Sequence, residues 1–94
     1  MIAKEFIDMI DKVLKGEYDV NDFSYDFTDK LIELSDKLEE ENKELYDLLA
    51  EEIPDLCGNF EPYEVDRKGN DFLLDKDQFL DKMKIEYEKA LKLM

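Results

Sequence analysis

Ile2, Phe6, Met9, Ile10, Val13 and Leu14 follow one another at steps of three and four residues, and the same spacing recurs in three later segments. A helix turns once every ~3.6 residues, so this spacing gathers the side chains into one apolar stripe. Val20, Phe23, Phe27, Leu31, Leu34 and Leu38 form the second stripe, and Leu45, Leu48, Leu49 and Ile53 the third. Phe79, Met83, Tyr87, Ala90, Leu91 and Met94 form the fourth. No such helix is stable alone in water, so each stripe must be covered by the others. The expected fold is all-α, an antiparallel four-helix bundle, with residues 1–94 as a single domain.

The ends of these segments carry their own signals. Gly16 suits the end of the first helix. Asp19 can cap the second, with Asp22 three residues on, and Asp75 with Gln78 makes a capping-box pattern for the fourth. The third helix starts near Asn42. Pro54 has no N–H and crowds the preceding turn, so the third helix is expected to be either kinked or interrupted there, the second case leaving residues 54–58 as a short separate turn. Val65 and the run Phe72, Leu73, Leu74 suit a short extended piece before the last helix.

Several chemistries lack their essential residues. The chain has no His, which removes the commonest general base and the His-based metal sites. Cys57 is the only cysteine, so there is neither an internal disulfide nor a zinc motif, and its expected role is that of a small buried hydrophobe in a reducing cytoplasm. Two acidic stretches, starting at Asp66 and Asp75, fail as calcium loops: the first has Lys68 at a ligand position, and the second has Leu80 where glycine is needed. Ser24 and Ser35 lack the context of a carrier-protein serine. Carboxylate pairs are too common among 27 acids to mark a catalytic site. The expectation is a protein that is not an enzyme and uses no cofactor and no metal.

The net charge of −14 is unevenly spread. Residues 39–66 hold eleven acids and one base, whereas residues 67–94 hold six acids and seven bases. Self-repulsion works against folding, so charge in this excess points to a field aimed at a partner. Phosphates would be repelled, which argues against direct contact with nucleic acid or an anionic membrane. No apolar run reaches the length of a membrane span, and the acids within the N-terminal stretch do not fit a signal peptide. The natural complement is a basic protein.

That acidic stretch ends in CGNFEPYEVDRKGN, residues 57–70. Pro62 fixes its own backbone and holds Glu61 extended. With Phe60 as a buried anchor, Glu61, Glu64 and Asp66 would stand on a rigid, exposed ledge. Tyr63 is either an aromatic contact there or packs against the last helix. Together with Glu51, Glu52 and Asp55 on the third helix, Glu61, Tyr63, Glu64 and Asp66 make up the expected partner-binding set.

These features, in this order, resemble the colicin D-type immunity proteins, a family that includes immunity proteins of contact-dependent growth inhibition systems. The resemblance rests on an N-terminal helix, a turn into a helix with Asp22, Phe23 and Ser24, and an acidic third helix ending in Phe60, Glu61 and Pro62. Asp66 and Arg67 and an Asp-capped final helix complete it. It implies a non-enzymatic four-helix bundle that binds the nuclease domain of a tRNA-cleaving toxin, one to one, over its basic cleft. The matching acids are Glu61, Asp55, Glu64 and Asp66. Gly58 and Tyr63 stand where the family pattern would suit acids. The competing expectation is an acidic adaptor, or a nucleic-acid mimic that binds a basic regulatory protein.

Overall fold

Four long helices and one single-turn helix account for most of the backbone in the computed structural model, which describes residues 1–70 and 73–94. They are α1 (Ile2–Leu14), α2 (Val20–Glu41), α3 (Lys43–Asn59), α4 (Glu64–Arg67) and α5 (Lys76–Leu91). The long helices pack in a ring, α1 against α2, α2 against α3, α3 against α5 and α5 against α1. Consecutive long helices run antiparallel. At one pole the Glu41 carboxylate accepts from the N–H groups of Ile2 and Ala3, joining the end of α2 to the start of α1. At that same pole the Asn42 side-chain amide donates to the Leu93 carbonyl at 2.7 Å, joining the start of α3 to the end of α5.

Local chemistry sets the boundaries. Gly16 takes a left-handed φ of 78°, and the Glu17 N–H returns to the Lys12 carbonyl at 2.9 Å, closing α1. Asp19 caps α2 by accepting from the Asp22 N–H, without a reciprocal bond. Asp75 and Gln78 form the full capping box at α5. Asn42 is the whole connection between α2 and α3. It ends the first and caps the second, its Oδ1 accepting from the Leu45 N–H.

The core follows the stripes. Phe6, Phe23, Phe27 and Phe79 are fully buried, and Phe6 and Phe23 each pack on Phe27, with ring centres 5.3 and 5.2 Å apart. Leu38, Leu45, Leu49, Ile53 and Met83 extend the core along the bundle.

The structure departs from the sequence expectations in three places. Helix α3 runs through Pro54 to Asn59 as one element, so residues 54–58 are not a separate turn. Ile53 is fully buried ahead of the proline, and Leu56 and Cys57 pack against the core behind it. That packing holds the helix together although Pro54 has no N–H for the Ala50 carbonyl. On α5 the buried face is Phe79, Met83, Glu86 and Ala90, while Leu91 and Met94 are about half exposed. Val65 lies in α4 rather than in an extended piece, and is 80% exposed. Leu74 is extended and bridges Phe60 in parallel, whereas Phe72 lies outside the described residues.

Candidate functional site

The connection between α3 and α5 lies at the pole opposite Asn42. Phe60 ends α3 in extended conformation, half-buried, its ring 5.3 Å from that of Phe79. The Leu74 N–H donates to the Asn59 carbonyl at 2.7 Å, and the Glu61 N–H donates to the Leu74 carbonyl at 2.9 Å. The chain leaving α3 is thereby tied to the chain entering α5. Beyond this tie, residues 61–67 form a ledge. Arg67 reaches back under it, its Nη1 donating to the Glu61 carbonyl at 2.6 Å. The Asp66 and Arg67 N–H groups both return to the Tyr63 carbonyl, which closes α4 as a single turn.

This frame fixes what the ledge displays. Pro62, Tyr63, Glu64, Val65 and Asp66 are all exposed, Tyr63 at 68%. Tyr63 therefore does not pack against the last helix. Glu61 differs from its expected role. It is half-buried, and its Oε1 accepts from the Tyr63 N–H at 3.2 Å. A carboxylate that closes its own turn contributes first to the shape of the ledge and only second to its field.

Glu51, Glu52 and Asp55 are exposed on α3. Glu51 and Asp55, four residues apart, share one side of the helix, and Glu52 sits ~100° round from Glu51. Asp55 lies between Glu51 and Glu52, so the seven expected residues divide into the ledge and one acidic side of α3 that spans about 100°. Among the described residues, Glu51, Glu52, Asp55, Glu64 and Asp66 form no ion pair. Lys43, the one base of residues 39–66, is taken by Asp47 at 3.2 Å, and that carboxylate holds the ammonium above its usual range. The negative field over α3 is therefore left with little local neutralisation, whereas the carboxylates of the ledge have Arg67 and Lys68 close by in the chain.

Val65, expected in an extended piece, stands exposed on the ledge instead. An apolar residue that fits no stripe, within a polar stretch, is the signal that marks it. Tyr63 and Val65 are both exposed, but two residues apart on this single turn they stand on different sides of it, each next in sequence to the carboxylate of Glu64. Exposed aromatic and apolar side chains interleaved with charge suit a contact surface. Behind the ledge, Cys57 is mostly buried, and burial pushes its thiol up to about 11, which the hydroxyls of Ser24 and Thr28 counter in part. Such a thiol is almost wholly protonated at neutral pH and is a poor nucleophile. Among the described residues no group of three or more acidic or cysteine side chains is arranged to hold a metal ion, and no helix is long and apolar enough to cross a membrane.

No protein-family model, curated protein or solved structure matches this chain.

Proposed function

We propose that this protein is an immunity protein that neutralises a toxic nuclease, most simply a tRNA-cleaving one, by covering its basic cleft with the ledge and the acidic side of α3. One observation carries the reading. The ledge is held by main-chain bonds to Leu74 and by Arg67, and it displays Tyr63 and Val65 beside the unpaired carboxylates of Glu64 and Asp66. A cleft that binds RNA must attract phosphates. A rigid array of carboxylates competes for the same field and loses little conformational freedom on binding. Opposite charges also speed encounter, which suits an inhibitor that must reach the toxin before RNA does. The resemblance to colicin D-type immunity proteins supports the same reading through Phe60, Glu61, Pro62, Asp66 and Arg67.

The test is co-expression with the nuclease domain of the toxin encoded beside this chain, followed by denaturing electrophoresis of total tRNA. Intact tRNA with the chain and cleaved tRNA without it supports the proposal. Intact tRNA in dying cells that lack the chain keeps the immunity role and changes the toxin's target. Absence of any protection overturns the immunity role and leaves the acidic adaptor of a basic regulatory protein.

A further inference from the structure

A second surface lies away from the ledge, along the seam of α2 and α3. Two hollows of about 390 and 400 Å³ share Thr28 and Pro54, and together they make one groove along the outer side of these helices. Its floor is made of small residues, among them Ser24, Thr28, Ala50 and Gly58. The hydroxyls of the floor are already used. Ser24 donates to the Val20 carbonyl and Thr28 to the Ser24 carbonyl, both at 2.9 Å, and Ser35 donates to the Ile32 carbonyl at 3.3 Å. Its surface is clearly apolar at the end lined by Leu31, Ile32 and Ala50, and only narrowly so at the end lined by Ser24, Asp29 and Cys57.

Tyr25 and Ile32 border it and are 74% and 72% exposed, although neither belongs to the apolar stripe of α2. Seven residues apart, they stand on one side of α2, ~10 Å apart along its axis. The span from Ser24 to Ser35 is ~16 Å, about three helical turns. The rim is acidic: Asp29 and Asp36 stand on α2, also seven residues apart, and Glu51 follows Ala50 on α3, all exposed.

We infer that this groove is a docking site for a basic amphipathic helix of a partner protein. Such a helix lays its apolar residues between Tyr25 and Ile32 over the small floor, and its Lys or Arg residues meet Asp29, Asp36 and Glu51. The apolar floor favours a helix side over a flexible polar segment. The acidic rim selects for cationic flanks. It also disfavours a second copy, since two chains of net charge −14 would bring like rims together. Nucleic acid and anionic membranes are repelled for the same reason. The inference does not rest on the toxin reading, because the lining of the groove and the ledge use different residues; Glu51 alone is common to the rim and the acidic side of α3.

The test uses the isotopically labelled full chain and three synthetic peptides of fourteen residues, followed by amide chemical shifts. One is built of Leu and Lys with Leu at helical spacing, one is its scrambled form, and one replaces Lys by Glu. The amphipathic basic peptide is expected to shift amides at residues 24–35 and 46–58. It should bind at least tenfold more tightly than the scrambled peptide, with no binding of the acidic one. Tyr25→Ala with Ile32→Ser should weaken it at least tenfold, and the thermal melt of that variant verifies its fold, since both side chains are exposed. Equal binding of the scrambled peptide, or shifts confined to residues 61–67, would overturn the inference. So would a concentration-dependent dimer in sedimentation that Ile32→Ser abolishes, because the occupant would then be a second copy. Success here with no toxin protection removes only the immunity role, and failure here with protection removes only the groove.

Discussion

Arg67 donates a hydrogen bond to the main-chain carbonyl of Glu61 rather than pairing with any carboxylate among the described residues. The only arginine of an acidic chain is thus used to hold a turn. A bond from a charged donor is worth roughly 1.5–3 kcal/mol when shielded from water, and the lower end applies to a half-exposed side chain. Arg67→Ala is therefore expected to lower global stability by about 1 kcal/mol. Hydrogen exchange at the amides of Glu61 and Leu74 should quicken more than exchange in the core of α2. Unchanged protection at those two amides would show that the ledge does not depend on Arg67.

The charges displayed by the ledge make a separate prediction. Glu64 and Asp66 are exposed and form no ion pair among the described residues, so reversing both to Lys should leave the thermal midpoint nearly unchanged. Association with a basic nuclease domain should slow by at least tenfold at low salt, and the difference should shrink as salt is added. Glu61→Lys is a poorer test, because it also removes the bond to the Tyr63 N–H. An association rate unaffected by the double reversal would place the contact elsewhere.

Glu86 occupies the centre of the buried face of α5. It is 7% exposed, its Oε1 accepts from Lys89 at 3.2 Å, and its Oε2 has no hydrogen-bond partner among the described residues. A buried acceptor without a partner costs about 1–3 kcal/mol. Glu86→Met keeps the volume and removes that cost, and the mostly exposed Lys89 loses little with it. The variant is expected to be more stable by about 1 kcal/mol, raising the melting temperature by roughly 4–8 °C. A lower midpoint would mean that the carboxylate is stabilised by its surroundings.

Cys57 provides a measurement of burial at the back of the α2–α3 seam. Its thiol is pushed from 9.0 to about 11, chiefly by burial. A folded value above the unfolded one contributes stability that is fully present below about pH 9, and this is lost as pH rises through about 11. At pH 8 the folded chain should carry ~100-fold less thiolate than the unfolded chain. Iodoacetamide labelling at pH 8 should accordingly be far slower in buffer than in urea. Equal rates would contradict the packing of α3 beyond Pro54.

The helix caps can be ranked by their geometry. Asp75 both accepts from the Gln78 N–H at 2.8 Å and has its own N–H satisfied by Gln78, whereas Asp19 makes only the first kind of bond. Asp75→Ala is expected to cost about 1 kcal/mol or slightly more, and Asp19→Ala less. Urea titrations of the two variants decide the order.

Much of this fold is readable from the sequence because its signals are local. Gly16, Asp19, Asn42 and Asp75 act on neighbours within a few residues, and the structure finds each at the helix end where its chemistry belongs. Pro54 leaves a kink and an interruption equally open in the sequence, and the helix is uninterrupted because its local cost is met by contacts made far along the chain. The last stripe misleads for a related reason. Glu86 is polar and so attracts no attention, yet it sits between Met83 and Ala90 on the inward face, and Leu91 and Met94 are turned outward in consequence. At the ledge, the excess of carboxylates is visible in composition. The bond from the Tyr63 N–H to Glu61 is not, since it depends on the tie between Glu61 and Leu74, thirteen positions apart.

Asn42 joins α2 to α3 with nothing to spare, and its side chain also holds the end of α5. One residue added or removed there would turn α3 by ~100°. Leu45, Leu49 and Ile53 would swing off the core, and the acidic side of α3 would face a different direction. Substitution can proceed along the exposed surfaces of this chain, but insertion and deletion are shut out at that corner. Length can vary far more freely between α3 and α5, so the segment that shapes the ledge is also where new recognition can arise without disturbing the bundle.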